Sequence, residues 1–149
     1  VYLALTEGHW SNQSKSGLID RPIEKVPDCF NRYQVSDAGR PSRTEYEVLS
    51  EFSQEGTPFS LVRLKLQTGR THQIRVHMAD AGHPLIGDRL YFADTDQKAD
   101  VDAENCFAGI KRAALHASRI CFYQPFEGKR ITVEAPFPED MKKCLFRDE

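Results

Sequence analysis

The stretch Leu66–Tyr91, LQTGRTHQIRVHMADAGHPLIGDRLY, constrains this chain more than any other. Just before it, Leu61–Leu66 (LVRLKL) alternates apolar and charged residues, the signal of a half-buried strand. Thr68 and Gly69 break that strand. Thr71 reads as a helix N-cap, because its hydroxyl can accept an orphan backbone N–H. From there Ile74, Met78 and Ala81 recur at i, i+4 and i+7 and mark one apolar helix face. Gly82 is placed to end the helix in a left-handed turn, and Pro84 prevents its continuation. This reading sets Arg70 at the mouth of the helix and Arg75 one turn inside. Thr71 and Arg75, four apart, then project from the same face.

A strand–turn–helix with a guanidinium near the helix start suits an anion, either a phosphate or a carboxylate. Spacing by itself leaves open whether these arginines meet an anion or only solvent. His72 and His77 are five apart, about 140° around a helix, so they do not share a metal. His83 beside Pro84 reads as a loop-packing residue.

The runs TGRTHQIRVH and AGHPLIGDRLY, with LHASRI further on, resemble the signature of the RluA-type pseudouridine synthases. Weaker similarity covers most of the chain, from Tyr2 to about Pro138. The resemblance implies isomerisation of uridine to pseudouridine in ribosomal or transfer RNA. It needs no redox cofactor and no energy source. It also implies a mixed sheet with helices and loops beside an RNA-binding cleft, and a target nucleotide flipped out of its stack. The family starts the reaction with an aspartate in a His-Arg-Leu-Asp segment. By motif position, Arg75 matches the arginine that keeps this carboxylate ionised and oriented. Tyr2, in a Tyr-x-Ala strand, matches a tyrosine that packs on the target base and is implicated in catalysis. Arg70 is expected to brace the turn or meet phosphate. Thr71, His72 and Gln73 line or support the site, with Leu85 and Ile86 beneath it.

This sequence contains no His-Arg-Leu-Asp segment. In the family that segment lies upstream of the Tyr-x-Ala strand, and here Tyr-x-Ala is the very start. Asp20, Asp37, Asp80 and Asp88 do not sit in the matching context. The chain opens at Val1, inside a strand-like pattern, so residues 1–149 are expected to be the C-terminal portion of one catalytic domain whose N-terminal part is missing. By itself such a portion is expected to be inactive. Two other readings compete. One is an RNA-binding module that kept the cleft and lost catalysis. The other is a hydrolase with Arg70 and Arg75 as an anion clamp and His72 or Asp88 as general base.

The rest of the chain adds context. Its length fits one domain with a real core. The net charge of −2 argues against a polyelectrolyte binder, although a local patch can suffice. Residues 61–91 carry Arg63, Lys65, Arg70, Arg75 and Arg89 against Asp80 and Asp88. The strand Tyr2–Trp10 should end at Gly8, and Tyr2 by itself is an ordinary strand aromatic. Leu18–Ile23 (LIDRPI) reads as a short edge strand, because Pro22 would block a ladder. Ser36–Arg43 is a loop whose Arg40 and Arg43 are candidate phosphate contacts. Thr44–Phe52 should pair with Leu61–Leu66 across a turn at Gln54–Pro58.

After Tyr91, the acidic run Ala93–Asn105 reads as a solvated loop that would repel RNA. Ala113–Tyr123 reads as a turn into a buried strand, with His116 a core or hinge histidine. Ile131–Ala135 is a final strand, and a short helix follows Pro138. Cys29, Cys106, Cys121 and Cys144 form no CxxC pair and read as reduced, buried thiols of a cytoplasmic protein. No apolar run approaches the ~20 residues that span a bilayer. The pattern predicts an α+β fold: a mostly antiparallel, mixed and twisted sheet with a few short helices. Low net charge and a self-contained core suggest a monomer.

Overall fold

The computed structural model describes residues 1–91 and 110–145. In chain order the elements are β1 (Tyr2–Glu7), β2 (Ser16–Asp20), β3 (Ile23–Lys25), β4 (Tyr33–Val35), β5 (Arg43–Gln54), β6 (Thr57–Leu66), α1 (Gln73–Asp80), β7 (Leu115–Ala117), β8 (Arg119–Gln124), β9 (Lys129–Glu134) and α2 (Glu139–Leu145). The main sheet runs β2-β5-β6-β1-β7, while β3–β4 and β8–β9 are separate two-stranded ribbons. Every pairing among these strands is antiparallel. The predicted α+β class holds, but these sheets are not mixed.

The period-2 alternation of the central strands makes two cores. Ala4, Val62 and Leu64 face Ile74 and Met78 of α1, with Trp10 and Leu85 completing that layer. The intervening residues Leu5 and Phe59 face the other way, onto Ile86, Ile110, Ala114, Met141 and Cys144. Both layers exclude water, which is the dominant favourable term in folding. A bulge between Val48 and Ser50 inserts Leu49 into β5. That extra residue flips the side-chain parity. Tyr46 and Val48 therefore pack on the α1 side, while Phe52 stacks on Phe59 of the opposite layer, ring centroids 5.2 Å apart. The β5–β6 turn places Glu55 and Gly56 at φ 50° and 79°, the doubly left-handed geometry that suits a tight hairpin.

Helix α1 carries the predicted apolar face of Ile74, Met78 and Ala81. It ends as expected: Gly82 sits at φ 86°, with its N–H on the Ala79 carbonyl and the His83 N–H on that of Met78. Its start differs. The N-cap is His72, in the left-handed region, and no side chain caps the helix. Thr71 therefore lies outside α1, and its pairing with Arg75 on one helical face does not occur. Thr71 sits one residue before the left-handed His72 that takes the N-cap position, and the buried Gln73 turns back to accept the Arg70 N–H of the preceding turn.

Other departures have similar causes. Pro22 splits the expected Leu18–Ile23 strand into the end of β2 and the start of β3. Strand β8 is exposed rather than buried. Ile120 is 59% and Tyr123 65% accessible, because among the described residues β8 pairs with β9 and is covered by no other layer. Cys29 and Cys121 are exposed, and Cys144 is the buried one of the three described cysteines. His83 does pack in its loop, stacked on Trp10 at 4.1 Å. The acidic run 93–105 and Cys106 lie outside the described residues.

Candidate active site

The turn that links β6 to α1 is held by one buried glutamine. Gln73 is 2% accessible. Its Oε1 accepts the Thr68 hydroxyl at 2.8 Å and the Arg70 N–H at 3.0 Å. Its Nε2 donates to the Arg43 carbonyl and to Thr44 Oγ1, both at 2.9 Å. The network continues inward. His77 lies 2.9 Å from the Arg21 carbonyl through Nε2 and 2.8 Å from Thr44 Oγ1 through Nδ1. A carbonyl only accepts, so Nε2 carries the proton and Nδ1 accepts the Thr44 hydroxyl. Burial lowers the His77 pKa and keeps the ring neutral. No polar atom in this network is left without a partner, so the Gly69–His72 turn is fixed against β5.

Arg75 does not simply point outward. Its Nε and Nη2 donate to Asp88 Oδ2 and Oδ1 at 2.8 and 2.9 Å, a two-pronged pair. The Asp88 side chain is 0% accessible and that of Arg75 24%. Asp88 Oδ1 also accepts the N–H groups of Leu90 and Tyr91 at 3.0 and 3.3 Å. The hydrogen bond to Asp88 raises the Arg75 pKa further above its usual value. The guanidinium carbon lies 5.1 Å from the centre of the Tyr91 ring. Asp88 grips one edge of the guanidinium, and Nη1 retains its donors for a further anion.

Tyr91 joins this pair to the turn. Its hydroxyl accepts the Tyr33 N–H at 3.0 Å and lies 2.7 Å from His72 Nδ1. Either tautomer of His72 completes this bond, because the hydroxyl can donate to Nδ1 or accept a second N–H. Burial, followed by the charge of Arg75, lowers the His72 pKa. A general-base role for Asp88 does not fit this geometry, because both its oxygens are occupied in a buried ion pair. His72 Nδ1 is likewise occupied by Tyr91.

Beside the turn lies a cleft of about 500 Å³, walled by Lys25, Tyr33, Gly39, Arg40, Arg70 and Thr71, among others. Arg70 is braced there, its Nε donating to the Pro41 carbonyl at 3.2 Å. Gly39 is required at this wall, since a Cβ would come within 2.5 Å of the Ile23 backbone. Arg43 takes a different place: its guanidinium pairs with Asp20 at 3.2 Å on the surface. Tyr2 is half-buried on β1, opposite Leu64 and Ala117, and packs against the layer that includes Ile74 of α1. Thus Arg40, Arg70 and Thr71 share one cleft, and His72 and Arg75 meet through Tyr91. Gln73 supports both groups, and Tyr2 lies on the α1 side of the sheet. His116 is half-buried on β7, with Nε2 3.2 Å from the Ala135 carbonyl and its ring edge-on to Phe137.

Tyr91, Tyr33 and His77 were not legible as site residues, and Asp88 was legible only as a candidate general base, not as the partner of Arg75. One signal was available for Asp88: an aspartate after glycine readily accepts the N–H groups two and three residues on. Nothing local showed that its other oxygen would meet an arginine from α1. Among the described residues no group of His, Cys, Asp and Glu could hold a metal ion.

Comparison with known proteins agrees with this architecture. A family model described as RNA pseudouridylate synthase matches residues 1–80. The ribosomal large subunit pseudouridine synthase D of Nitrosomonas europaea is 39% identical over 97% of this chain and 39% of its own length. The Escherichia coli K12 protein of that name is 35% identical over 97% of the chain and 43% of its own length. This chain therefore spans about two fifths of those relatives. The solved structure of human RNA pseudouridylate synthase domain containing 1 superposes with a TM-score of 0.70 at 29% identity, covering 91% of this chain and 53% of that one. Human RNA pseudouridylate synthase domain containing 4, at 20% identity and TM-score 0.66, shares the fold. With half of the chain matched by the family model and the fold reproduced, the chain belongs to the RNA pseudouridylate synthase family.

Proposed function

We propose that residues 1–149 form the C-terminal portion of the catalytic domain of an RNA pseudouridine synthase that converts uridine to pseudouridine in ribosomal RNA, with transfer RNA as the other candidate. The reaction breaks the C1′–N1 glycosidic bond, turns the base and joins C1′ to C5, releasing the C5 proton while N1 takes one up. It is redox-neutral and calls for no cofactor. Two relatives bear names that specify the large ribosomal subunit, which favours ribosomal RNA.

The observation that carries this reading is the Arg75–Asp88 pair. It presents a rigid guanidinium, with Nη1 still available, at the position where the family uses an arginine to hold its catalytic aspartate. The aspartate itself belongs to a His-Arg-Leu-Asp segment that this sequence lacks. The chain by itself is accordingly inactive. Tyr2 would lie against the target base. Arg70, Thr71 and Arg40 would meet the RNA backbone, with His72 and Gln73 supporting the turn, whereas Arg43 is held by Asp20. Among the described residues no helix is long and apolar enough to cross a membrane. The reading places a monomer in the cytoplasm.

The test is tritium release from RNA labelled at uridine C5. The full-length polypeptide containing this sequence should release tritium from ribosomal RNA without metal or cofactor. The 149-residue chain should release none. Stoichiometric release by the chain itself would refute its assignment as an incomplete catalytic unit. RNA binding without release by the full-length polypeptide would leave a binding module instead.

A further inference from the structure

The cleft between the β3–β4 ribbon and the Gly69–Thr71 turn has a chemistry that Arg75 and Tyr2 do not use. Several arginines of the described surface are neutralised: Arg21 by Asp80, Arg43 by Asp20, Arg63 by Glu47 and Arg112 by Asp140. The cations on this cleft are not. Among the described residues, Lys25, Arg40 and Arg70 have no carboxylate within 4.0 Å, although Glu24 lines the same cleft. An oxygen of Glu24 accepts from Gln34 Nε2 at 3.2 Å. Arg70 is preoriented, because the Pro41 carbonyl holds Nε and leaves both terminal nitrogens. Holding charge in place before the ligand arrives lowers the entropic cost of binding.

The cleft also has an aromatic wall. Tyr33 lines it and meets His72 edge-on, with ring centroids 5.7 Å apart. His72 in turn is hydrogen-bonded to Tyr91, over which Arg75 lies. The cleft therefore shares a wall with the Arg75 centre. Its volume, about 500 Å³, falls in the ~300–1,000 Å³ range of sites for single small ligands. Unpaired cations beside a half-buried aromatic ring suit a phosphate linked to a base, the combination by which single-stranded nucleic acid is held.

We propose that this cleft is a subsite for one nucleotide of single-stranded RNA next to the target uridine, with its phosphate on Arg40 and Arg70 and its base on Tyr33. The proposal rests on the RNA reading above and adds a second point of attachment to it. Anchoring a neighbouring nucleotide would hold the strand open while the target turns at Arg75. It would also let the identity of that neighbour contribute to the choice of uridine.

Gly69 provides a clean probe. It lines the cleft, its φ lies outside the left-handed region, and a Cβ there meets nothing within 4 Å. Gly69→Leu can thus obstruct the cleft without disturbing the fold. The experiment is fluorescence anisotropy of a labelled single-stranded RNA hexamer with the 149-residue chain, at several salt concentrations. The variants are Arg40→Gln, Gly69→Leu and Tyr33→Leu. Lys65→Gln is the control, removing one exposed charge from β6 outside the cleft.

Arg40→Gln should weaken binding several-fold and reduce the slope of log affinity against log salt by about 0.7, one phosphate contact on a single strand. Tyr33→Leu should weaken it roughly tenfold through lost stacking. Gly69→Leu should also weaken it, with an unchanged melting temperature. If the wild-type chain binds the hexamer and all three variants match Lys65→Gln, the subsite is refuted and the RNA reading stands. If the wild-type chain does not bind the hexamer, the subsite is refuted, and tritium release by the full-length polypeptide decides the RNA reading separately. Displacement of the hexamer by equimolar adenosine 5′-monophosphate would make the cleft a free-nucleotide site and overturn its assignment to RNA.

Discussion

Asp88→Asn isolates the interaction on which the Arg75 centre depends. The substitution keeps the side-chain volume, and the amide oxygen can still accept the N–H groups of Leu90 and Tyr91. What changes is the face toward Arg75, where an acceptor pair becomes one acceptor and one N–H₂ donor. Removing one partner of a fully buried ion pair costs ~3–5 kcal/mol. Arg75 keeps 24% of its side chain in water and recovers part of its hydration, so the expected loss is about 2–3 kcal/mol. At roughly 2–4 °C per kcal/mol for a chain of this size, the melting temperature should fall by roughly 4–12 °C.

Circular dichroism melts and urea titrations measure both quantities. Arg75→Met and the double variant complete a thermodynamic cycle. Arg75→Met strands a carboxylate with 0% accessibility, so it should cost at least as much as Asp88→Asn. The coupling between the two should be at least about 1.5 kcal/mol. A loss under ~1 kcal/mol for Asp88→Asn, with coupling near zero, would show that Asp88 does not hold Arg75, and the argument for a preset guanidinium would fail.

Three further outcomes follow from the same geometry. Burial depresses the His77 pKa in the fold, so the unfolded chain binds more protons once pH drops below the ordinary histidine value of about 6.5. Stability should therefore fall from about pH 6.5 downward, and the urea midpoint of His77→Gln should show a shallower decline than wild type between about pH 7.5 and 5.5. Gly87→Ala would place a Cβ 2.1 Å from the Arg112 carbonyl oxygen at φ 75°. It should destabilise by about 3 kcal/mol or more, read from thermal melts. Thr71→Ala should change stability by less than ~0.5 kcal/mol, whereas loss of a true N-cap would cost about 1 kcal/mol; the larger value, in a urea titration, would restore Thr71 as the cap.

Much of the scaffold was legible because it rests on short-range rules. The Thr44–Phe52 and Leu61–Leu66 alternation produced β5 and β6, which extend further only because their hairpin turn is tighter than the sequence implied. Gly82 and Pro84 marked the end of α1, as the left-handed backbone at that point requires. The helix start misled, since Thr71 had the right chemistry for a cap but His72, in the left-handed region, takes the N-cap position and no side chain caps the helix. The exposure of β8 was equally invisible, because alternation reports which face of a strand is apolar and not whether another layer covers it.

By itself, then, the sequence determined the central strands, the apolar face and end of α1, the family resemblance and the candidacy of Arg70, Arg75 and Tyr2. Each of these depends on residues within a turn or two of one another. Only the tertiary structure decided what the arginines do. Arg75 is bound to Asp88 thirteen residues away, Arg43 is spent on Asp20, and Arg40 and Arg70 come together across one cleft. A guanidinium takes whichever carboxylate the packed elements bring within reach, and that choice follows from strand register and helix placement, not from spacing along the chain.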